Sequence, residues 1–317
     1  MNTFNLVNET SFPLEVDLGG LDPECFIALF RNNETQVRTW LSQKGAVKFK
    51  GLQIDTVETF QKIVDSISSK FLNYIDGNSP RTKLSGTVYT STEYDKSQRI
   101  TMHNELSYSA KWPNKLFFSC LTPAATGGET LLADSREILK KLDQDIVSQI
   151  RKRGIIYIRN LHGGKGIGQS WQDTFETNDK EKVEEYCKDY SIDFEWREDD
   201  NLRLKQFSKG IIRHRETKEE VWFNQMDQFH PSQLGEETYE AMMTIYESPE
   251  EFPIYVTFGD GGEIDMETIK RLMRKIEEVT FFPPWQKNEL LIVDNELVCH
   301  GRNSFTGDRK VLVAMSE

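Results

Sequence analysis

The chain has 317 residues, of which 37% are hydrophobic and 11% aromatic, and a formal net charge of −12. This composition can bury a sizeable core and excludes a disordered chain, while the acidic balance argues against nucleic-acid binding or attachment to an anionic membrane. The four cysteines, Cys25, Cys120, Cys187 and Cys299, form no CxxC pair, and their long spacings do not suggest a zinc site or a disulfide framework, which suits a reducing compartment.

The first residues, MNTFNLVNETSF, lack the basic and apolar regions of a signal peptide, and no run approaches about 18 apolar residues, so a cytoplasmic location is expected. Asp22-Pro23 reads as an N-cap and first helical residue, and Phe26, Leu29, Phe30, Val37 and Leu41 carry helical pieces up to Gly45. AVKFKG (46–51) predicts a short strand. TVETFQKIVDSISSKF (56–71) predicts an amphipathic helix with Val57, Phe60, Ile63, Val64, Ile67 and Phe71 on one face. Residues 73–102 are polar and turn-rich, which predicts a long loop of functional importance with short strands in it. Strand patterns dominate from 103 to about 134, notably KLFFSCL and GGETLLAD. Helices are predicted over 135–152, 179–190, 234–246 and 264–278. Between them lie a strand, IIYIRNL (155–161), and a hairpin with a charged turn, GIIRHRETKEEVWFNQ (210–225). ELLIVDNELVCHGRNSF and RKVLVAM close the chain as two β-branched runs.

Strands early in the middle and at the very end, with helices between, suggest one core built from segments distant in sequence. The expectation is a single mixed α/β domain over 1–317 with a double-stranded β-helix (jelly-roll, cupin-like) core. The long loop falls at about 73–102 and an insertion between the two halves of the core at about 135–285. A dinucleotide-binding fold is excluded, because the Gly-rich run HGGKGIGQSW (162–171) has the wrong glycine spacing and no clear helix after it. That run is expected to be a surface turn or lid.

The histidines are His103, His162, His214, His230 and His300. His103 and Glu105 form H-x-E in TMHNEL, which alone reads as two solvated residues of a strand. Residues i and i+2 of a strand share a face, and His300 ends the run LLIVDNELVCH. Together the three supply two imidazoles and one carboxylate, a set that holds Fe(II) and leaves positions for a bidentate cosubstrate and O₂. Arg309 follows His300 by nine residues at the start of RKVLVAM. An antiparallel return strand is expected to bring its guanidinium, which can grip a carboxylate with two N–H groups, back toward the metal. Thr130 in TGGET offers a hydroxyl to assist it.

HNELSYSAKWPNKLFFSCLTPAATGGET, followed much later by DNELVCHGRNSFTGDR, resembles the TauD/TfdA family of Fe(II)/2-oxoglutarate dioxygenases. The family motif is H-x-D/E…H, with a Thr about 25 residues after the acid and an Arg roughly ten after the second His. His103, Glu105, Thr130, His300 and Arg309 fill these places. Glu in the acid position, with the runs NSPRTKL, VYTSTEY, HNELSY, TPAATGGET, VWFNQ and HGRNSFTGDRKVL, resembles the clavaminate synthase-like branch and its SyrP-like members.

The resemblance implies Fe(II) on His103, Glu105 and His300, and 2-oxoglutarate on Thr130 and Arg309, with O₂ as oxidant. It further implies hydroxylation of an unactivated C–H bond in an amino acid or a carrier-protein-tethered aminoacyl group, in nonribosomal peptide or polyketide metabolism. Glu105 disfavours halogenation, because related halogenases leave that position to Gly or Ala. Val313 stands where family members often carry a second Arg, which questions the anchoring of an anionic substrate there. Arg81, Tyr89, Asn104 and His230 are candidate substrate contacts, each with a bracing or core role as the plainer reading. His214 is expected to face solvent, Cys299 to lie in the core and Arg302 to brace a turn. Two alternatives stay open. One is the same chemistry ending in desaturation, cyclisation or an isonitrile on a free small molecule. The other is a jelly-roll metal binder that does no chemistry, against which Arg309 and Thr130 argue. A zinc hydrolase would need a general base that no motif supplies.

Overall fold

The computed structural model describes residues 3–72, 75–77, 81–91 and 94–317. The helix signals hold at their ends. The Asp22 side chain accepts from the Cys25 amide at 3.0 Å and caps Pro23–Asn32. Gly45 ends Glu34–Lys44 with φ 73°, a conformation that a residue without Cβ adopts at little cost. Thr56 caps Val57–Ile67, which stops four residues short of Phe71 because Ser68 turns to extended backbone. Phe71 instead bridges Ser316. The helix expected over 135–152 is two, Ser135–Lys141 and Gln144–Arg153, separated by extended Leu142 and Asp143.

Among the described residues, the largest sheet runs in the order Asn5–Asn8, Leu14–Leu21, Ala46–Leu52, Glu289–Asp294, Lys115–Thr122, Lys310–Ser316, Val88–Thr90 and Lys83–Ser85. Its central strands are buried on both faces. Leu290, Ile292, Phe117, Leu312 and Ala314 pack toward the N-terminal helices, against Phe26, Phe30, Phe60 and Ile63. Leu291, Val293, Leu116, Phe118, Val311 and Val313 pack in a second cluster with Leu132 and Val298. Those last two belong to a smaller sheet of Ile100–His103, Val298–Arg302 and Thr130–Asp134. The alternation of the strand side chains thus makes one layer serve two cores.

The closing part of the sequence departs from expectation in two ways. LLIVDNELVCH is not one strand: Glu289–Asp294 lies in the large sheet, and after a turn Val298–Arg302 lies in the small one, with His300 at its centre. Nor does Lys310–Ser316 return beside the His300 strand. It pairs with Lys115–Thr122 and Val88–Thr90 in the large sheet, so Arg309 reaches the site from the facing layer. Residues 135–285 build a separate antiparallel sheet, Asp193–Trp196, Leu202–Ser208, Ile155–Leu161 and Ile254–Phe258, with flanking helices. The HGGKGIG run is an exposed turn, as expected, but a short helix that was not expected, Trp171–Phe175, follows it, capped by the Ser170 side chain. Among the described residues no helix is long and apolar enough to cross a membrane.

Candidate active site

His103 and His300 are directly opposite each other on antiparallel strands, with ring centroids 4.2 Å apart. Glu105 joins them by a different route from the one its spacing suggested. The strand Ile100–His103 ends at His103, and Glu105 lies in the turn that follows, with Leu106 at φ 56°. Asn295 makes that turn. Its Oδ1 accepts from the Glu105 amide at 2.7 Å, and its Nδ2 donates to the Glu105 carbonyl at 3.0 Å and the Pro113 carbonyl at 2.9 Å.

The result is a buried His103, Glu105 and His300 cluster whose ligand-capable atoms all lie within 4.8 Å of one another. His103 Nδ1 donates to the Thr101 carbonyl at 2.9 Å, which directs Nε2 inward. His300 Nε2 is 3.4 Å from Glu105 Oε2, and its Nδ1 is buried with no partner among the described residues. Phe118 packs on the His300 ring at 5.4 Å. Burial, reinforced by His300, pulls the His103 pKa down to about 3, so the ring is neutral at neutral pH. Burial pushes the Glu105 carboxyl up, but Arg81 and His300 lower it by more, so it is ionised. Two neutral imidazoles and one carboxylate are a donor set that fits Fe(II).

Beside this cluster a small cavity of ≈ 30 Å³ is lined by His103, His300, Thr130, Ser91 and Arg309. Arg309 Nε donates to the Gly128 carbonyl at 2.8 Å and Nη1 to Ser91 Oγ at 3.0 Å. Among the described residues no carboxylate lies within ion-pair distance of it. Burial, with Arg302 nearby, lowers its pKa to about 10, which leaves it charged at neutral pH. A shielded cation without a counter-ion is a receptor for an anion. Thr130 Oγ1 accepts from Trp285 Nε1 at 2.9 Å, and its own O–H remains to donate. A second pocket, of ≈ 440 Å³, shares His103 and Ile100 with the small cavity and is also lined by Gln225, Gln228, Phe229 and Ile254.

Residues 10–315 match the family model for taurine catabolism dioxygenase TauD, TfdA family. The chain belongs to the TauD/TfdA family. It is 36% identical over 275 residues to dapdiamide synthesis protein DdaC of Enterobacter agglomerans, covering 87% of this chain and 83% of that one. It is 28% identical over 309 residues to the clavaminate synthase-like protein At3g21360 of Arabidopsis thaliana, covering 95% and 90%. PvcB of Pseudomonas aeruginosa, an Fe, α-ketoglutarate-dependent oxygenase from an isonitrile synthetic pathway, superposes with a TM-score of 0.53 at 12% identity, over 95% of this chain and 84% of that one. The protein is a TauD-like dioxygenase of mixed α/β fold that depends on Fe(II) and 2-oxoglutarate.

The other residues singled out in the sequence do not line the larger pocket. Arg81 donates from Nη2 to Glu105 Oε2 at 2.7 Å, with its side chain buried beside the His103, Glu105 and His300 cluster. Asn104 faces away from the cluster, as its place between the ligands suggested. Its Nδ2 donates to the Asn295 carbonyl at 2.7 Å and its Oδ1 accepts from Cys299, so it braces the turn. Tyr89 lies in the apolar cluster between the sheets. His230 is spent on structure, with Nε2 against the Ile264 carbonyl at 2.8 Å and Nδ1 against Ser232. His214 does not face solvent: it is 1% exposed, 3.1 Å from Asp294, because the hairpin turn folds over the Asp294–Leu297 turn. Arg302 braces a turn as expected, donating to the Tyr94, Asp95 and Gln98 carbonyls.

Residues the sequence reading passed over include Asn295, Trp285, Ser91, Gln225 and Gln228. Asn295 stands inside DNELVCH, Ser91 inside VYTSTEY, and Gln225 ends VWFNQ, all runs that carried the resemblance. No local pattern marks the other two, since their partners are far along the chain.

Proposed function

We propose that His103, Glu105 and His300 hold Fe(II), that Arg309 and Thr130 anchor the distal carboxylate of 2-oxoglutarate, and that the substrate lies in the pocket of ≈ 440 Å³ beside His103. The reaction is hydroxylation of an unactivated C–H bond in an amino acid or a carrier-tethered aminoacyl group. The observation that carries this reading is the placement of Arg309, a cation without a carboxylate partner among the described residues, across a shared cavity from the His103–His300 pair. We read the two facing sheets as the walls of a double-stranded β-helix.

When bound, Fe(II) and 2-oxoglutarate activate O₂ for C–H oxidation, with release of succinate and CO₂. The chain's own residues prepare that chemistry. Thr101 fixes the His103 ring through Nδ1. Asn295 presents the Glu105 carboxylate, and Arg81 keeps it ionised. Gly128 and Ser91 hold the Arg309 fork, and Trp285 turns the Thr130 hydroxyl outward as a donor. Phe118 and the apolar cluster behind it keep water from the His300 side. Val313, fully buried between the sheets, replaces the second arginine of other family members with core packing, so an anionic group gains no anchor there.

The test is Fe(II)-dependent succinate release with a panel of free amino acids and aminoacyl thioesters. Wild-type protein should release succinate and His103→Ala should not. Anaerobic Fe(II) and 2-oxoglutarate should give a charge-transfer absorbance that Arg309→Leu abolishes at matched ligand. Product mass then separates hydroxylation, which adds one oxygen, from desaturation, which removes two hydrogens. A protein that shows neither absorbance nor succinate release would be the non-catalytic metal binder instead.

A further inference from the structure

The larger pocket owes its polarity near the metal ligands to two glutamines. Gln225 is 3% exposed, and its Nε2 donates to the carbonyl of Asn104 at 2.8 Å, between His103 and Glu105. Gln228, on the short helix Met226–Phe229, donates from Nε2 to the Thr101 carbonyl at 3.1 Å. Only the NH₂ end of an amide can face a carbonyl oxygen, which sets the Gln225 orientation; Gln228 Nε2 also lies 3.2 Å from His103 Nδ1, and since both donate to the Thr101 carbonyl, that carbonyl sets the Gln228 orientation. Each glutamine therefore turns Oε1 away from the backbone it braces. Neither Oε1 has a hydrogen-bond partner among the described residues, and both side chains line the pocket. An acceptor that faces the pocket without a protein partner is matched by a ligand that brings a donor.

Charge narrows the ligand further. The described pocket wall contains no carboxylate, and its one guanidinium, Arg99, gives Nη1 and Nη2 to Glu277 at 3.0 and 2.6 Å. The wall thus presents neutral acceptors. Two acceptors on one wall call for a group with at least two hydrogens, which a hydroxyl lacks and a primary amine or carboxamide has.

We propose that Gln225 and Gln228 recognise the substrate through an NH₂ or NH₃⁺ group, their two Oε1 atoms holding it so that the neighbouring carbon faces the metal ligands. This rests on the dioxygenase reading of the site and adds to it the chemical feature that selects the substrate. Because both side chains also brace the His103–Glu105 segment, the decisive readout is a ratio between two substrates, not a rate.

The experiment measures succinate release with the standard amino acids, their carboxamides and their N-acetylcysteamine thioesters. The most active compound is then compared with its analogue carrying hydrogen in place of the amino or amide nitrogen. Wild-type protein should prefer the nitrogen-bearing compound by about a hundredfold in kcat/KM, about tenfold for each hydrogen bond lost. In Gln225→Met and Gln228→Met that preference should fall to about tenfold or less, mainly through KM for the nitrogen-bearing compound. A merely structural role would slow both compounds equally and keep the ratio, and that result would overturn the assignment. If the variants do not fold, the wild-type pair decides: a ratio near one, or a preference for the analogue without the nitrogen, overturns it. A wild-type protein with no Fe(II)/2-oxoglutarate absorbance would overturn the underlying dioxygenase reading and this assignment with it. An absorbing, succinate-releasing enzyme indifferent to the nitrogen would overturn this assignment alone.

Discussion

Replacing Asn295 with alanine removes the clamp that presents Glu105. Asn295 is fully buried, and its side chain makes hydrogen bonds to the Glu105 amide, the Glu105 carbonyl and the Pro113 carbonyl at 2.7, 3.0 and 2.9 Å. Alanine leaves these three backbone groups without those partners in a space closed to water. Each such group costs about 1–3 kcal/mol, so the loss is at least about 3 kcal/mol. For a chain of this size that corresponds to a fall in Tm of about 6 °C or more, at roughly 2 °C per kcal/mol. The effect on metal binding follows from the same geometry. Glu105 is not held by a strand, so without Asn295 its carboxylate samples positions away from His103 and His300. Loss of a group that orients a ligand costs about 10–100-fold in metal affinity. The assay is thermal unfolding of the metal-free protein, together with anaerobic Fe(II) titration. An N295A protein with wild-type Tm and wild-type Fe(II) affinity would refute the reasoning, since it would show that the turn holds Glu105 without the clamp.

Arg309→Leu should weaken 2-oxoglutarate about a hundredfold or more, because a shielded charge-paired contact is lost, and Arg309→Lys should restore only part, since an ammonium lacks the planar fork. An unchanged 2-oxoglutarate midpoint in anaerobic titrations would count against the anchor. Gly128→Ala should act on the same residue indirectly. Gly128 has φ 74°, and an added Cβ would lie 2.9 Å from Ala124 Cβ and 3.1 Å from Arg309 Cδ. The expected outcome is a drop in Tm and a rise of about tenfold in the 2-oxoglutarate Kd, and a wild-type Kd would show that Arg309 does not depend on this approach. His214 provides a pH test. Burial lowers its pKa, but Asp294 and Glu296 raise it by more, so the net shift is upward from about 6.5. A raised folded pKa gives stabilisation that is complete below the unfolded value and disappears as pH rises through the folded one. His214→Ala should therefore cost more Tm at about pH 5.5 than at about pH 9, and equal losses at both would contradict the ion pair.

The chemistry of the site was legible because it depends on which residue types occur and in what order. Two imidazoles, a carboxylate, a hydroxyl and a guanidinium at these spacings are readable without coordinates. So were the helix starts at Asp22 and Thr56 and the stop at Gly45, since caps are local in sequence. The structure brings Glu105 beside His103 and His300, but not by the strand alternation expected for it. Strand alternation ended at His103, and a side chain 190 positions away made the turn that replaced it. His214 was misplaced for a related cause: a charged turn reads as solvated until another turn packs over it.

By itself the sequence determined the family to which the chain belongs and pointed to the proposed donor set and cosubstrate anchors, because each is a matter of residue identity and order. The tertiary structure decided which sheet carries Arg309, how Glu105 is held, and that Gln225 and Gln228 line the pocket beside His103. These are contacts between segments far apart in the chain, made where two packed layers meet. No local propensity encodes them, because the partner that satisfies each buried polar group exists only once the layers have come together.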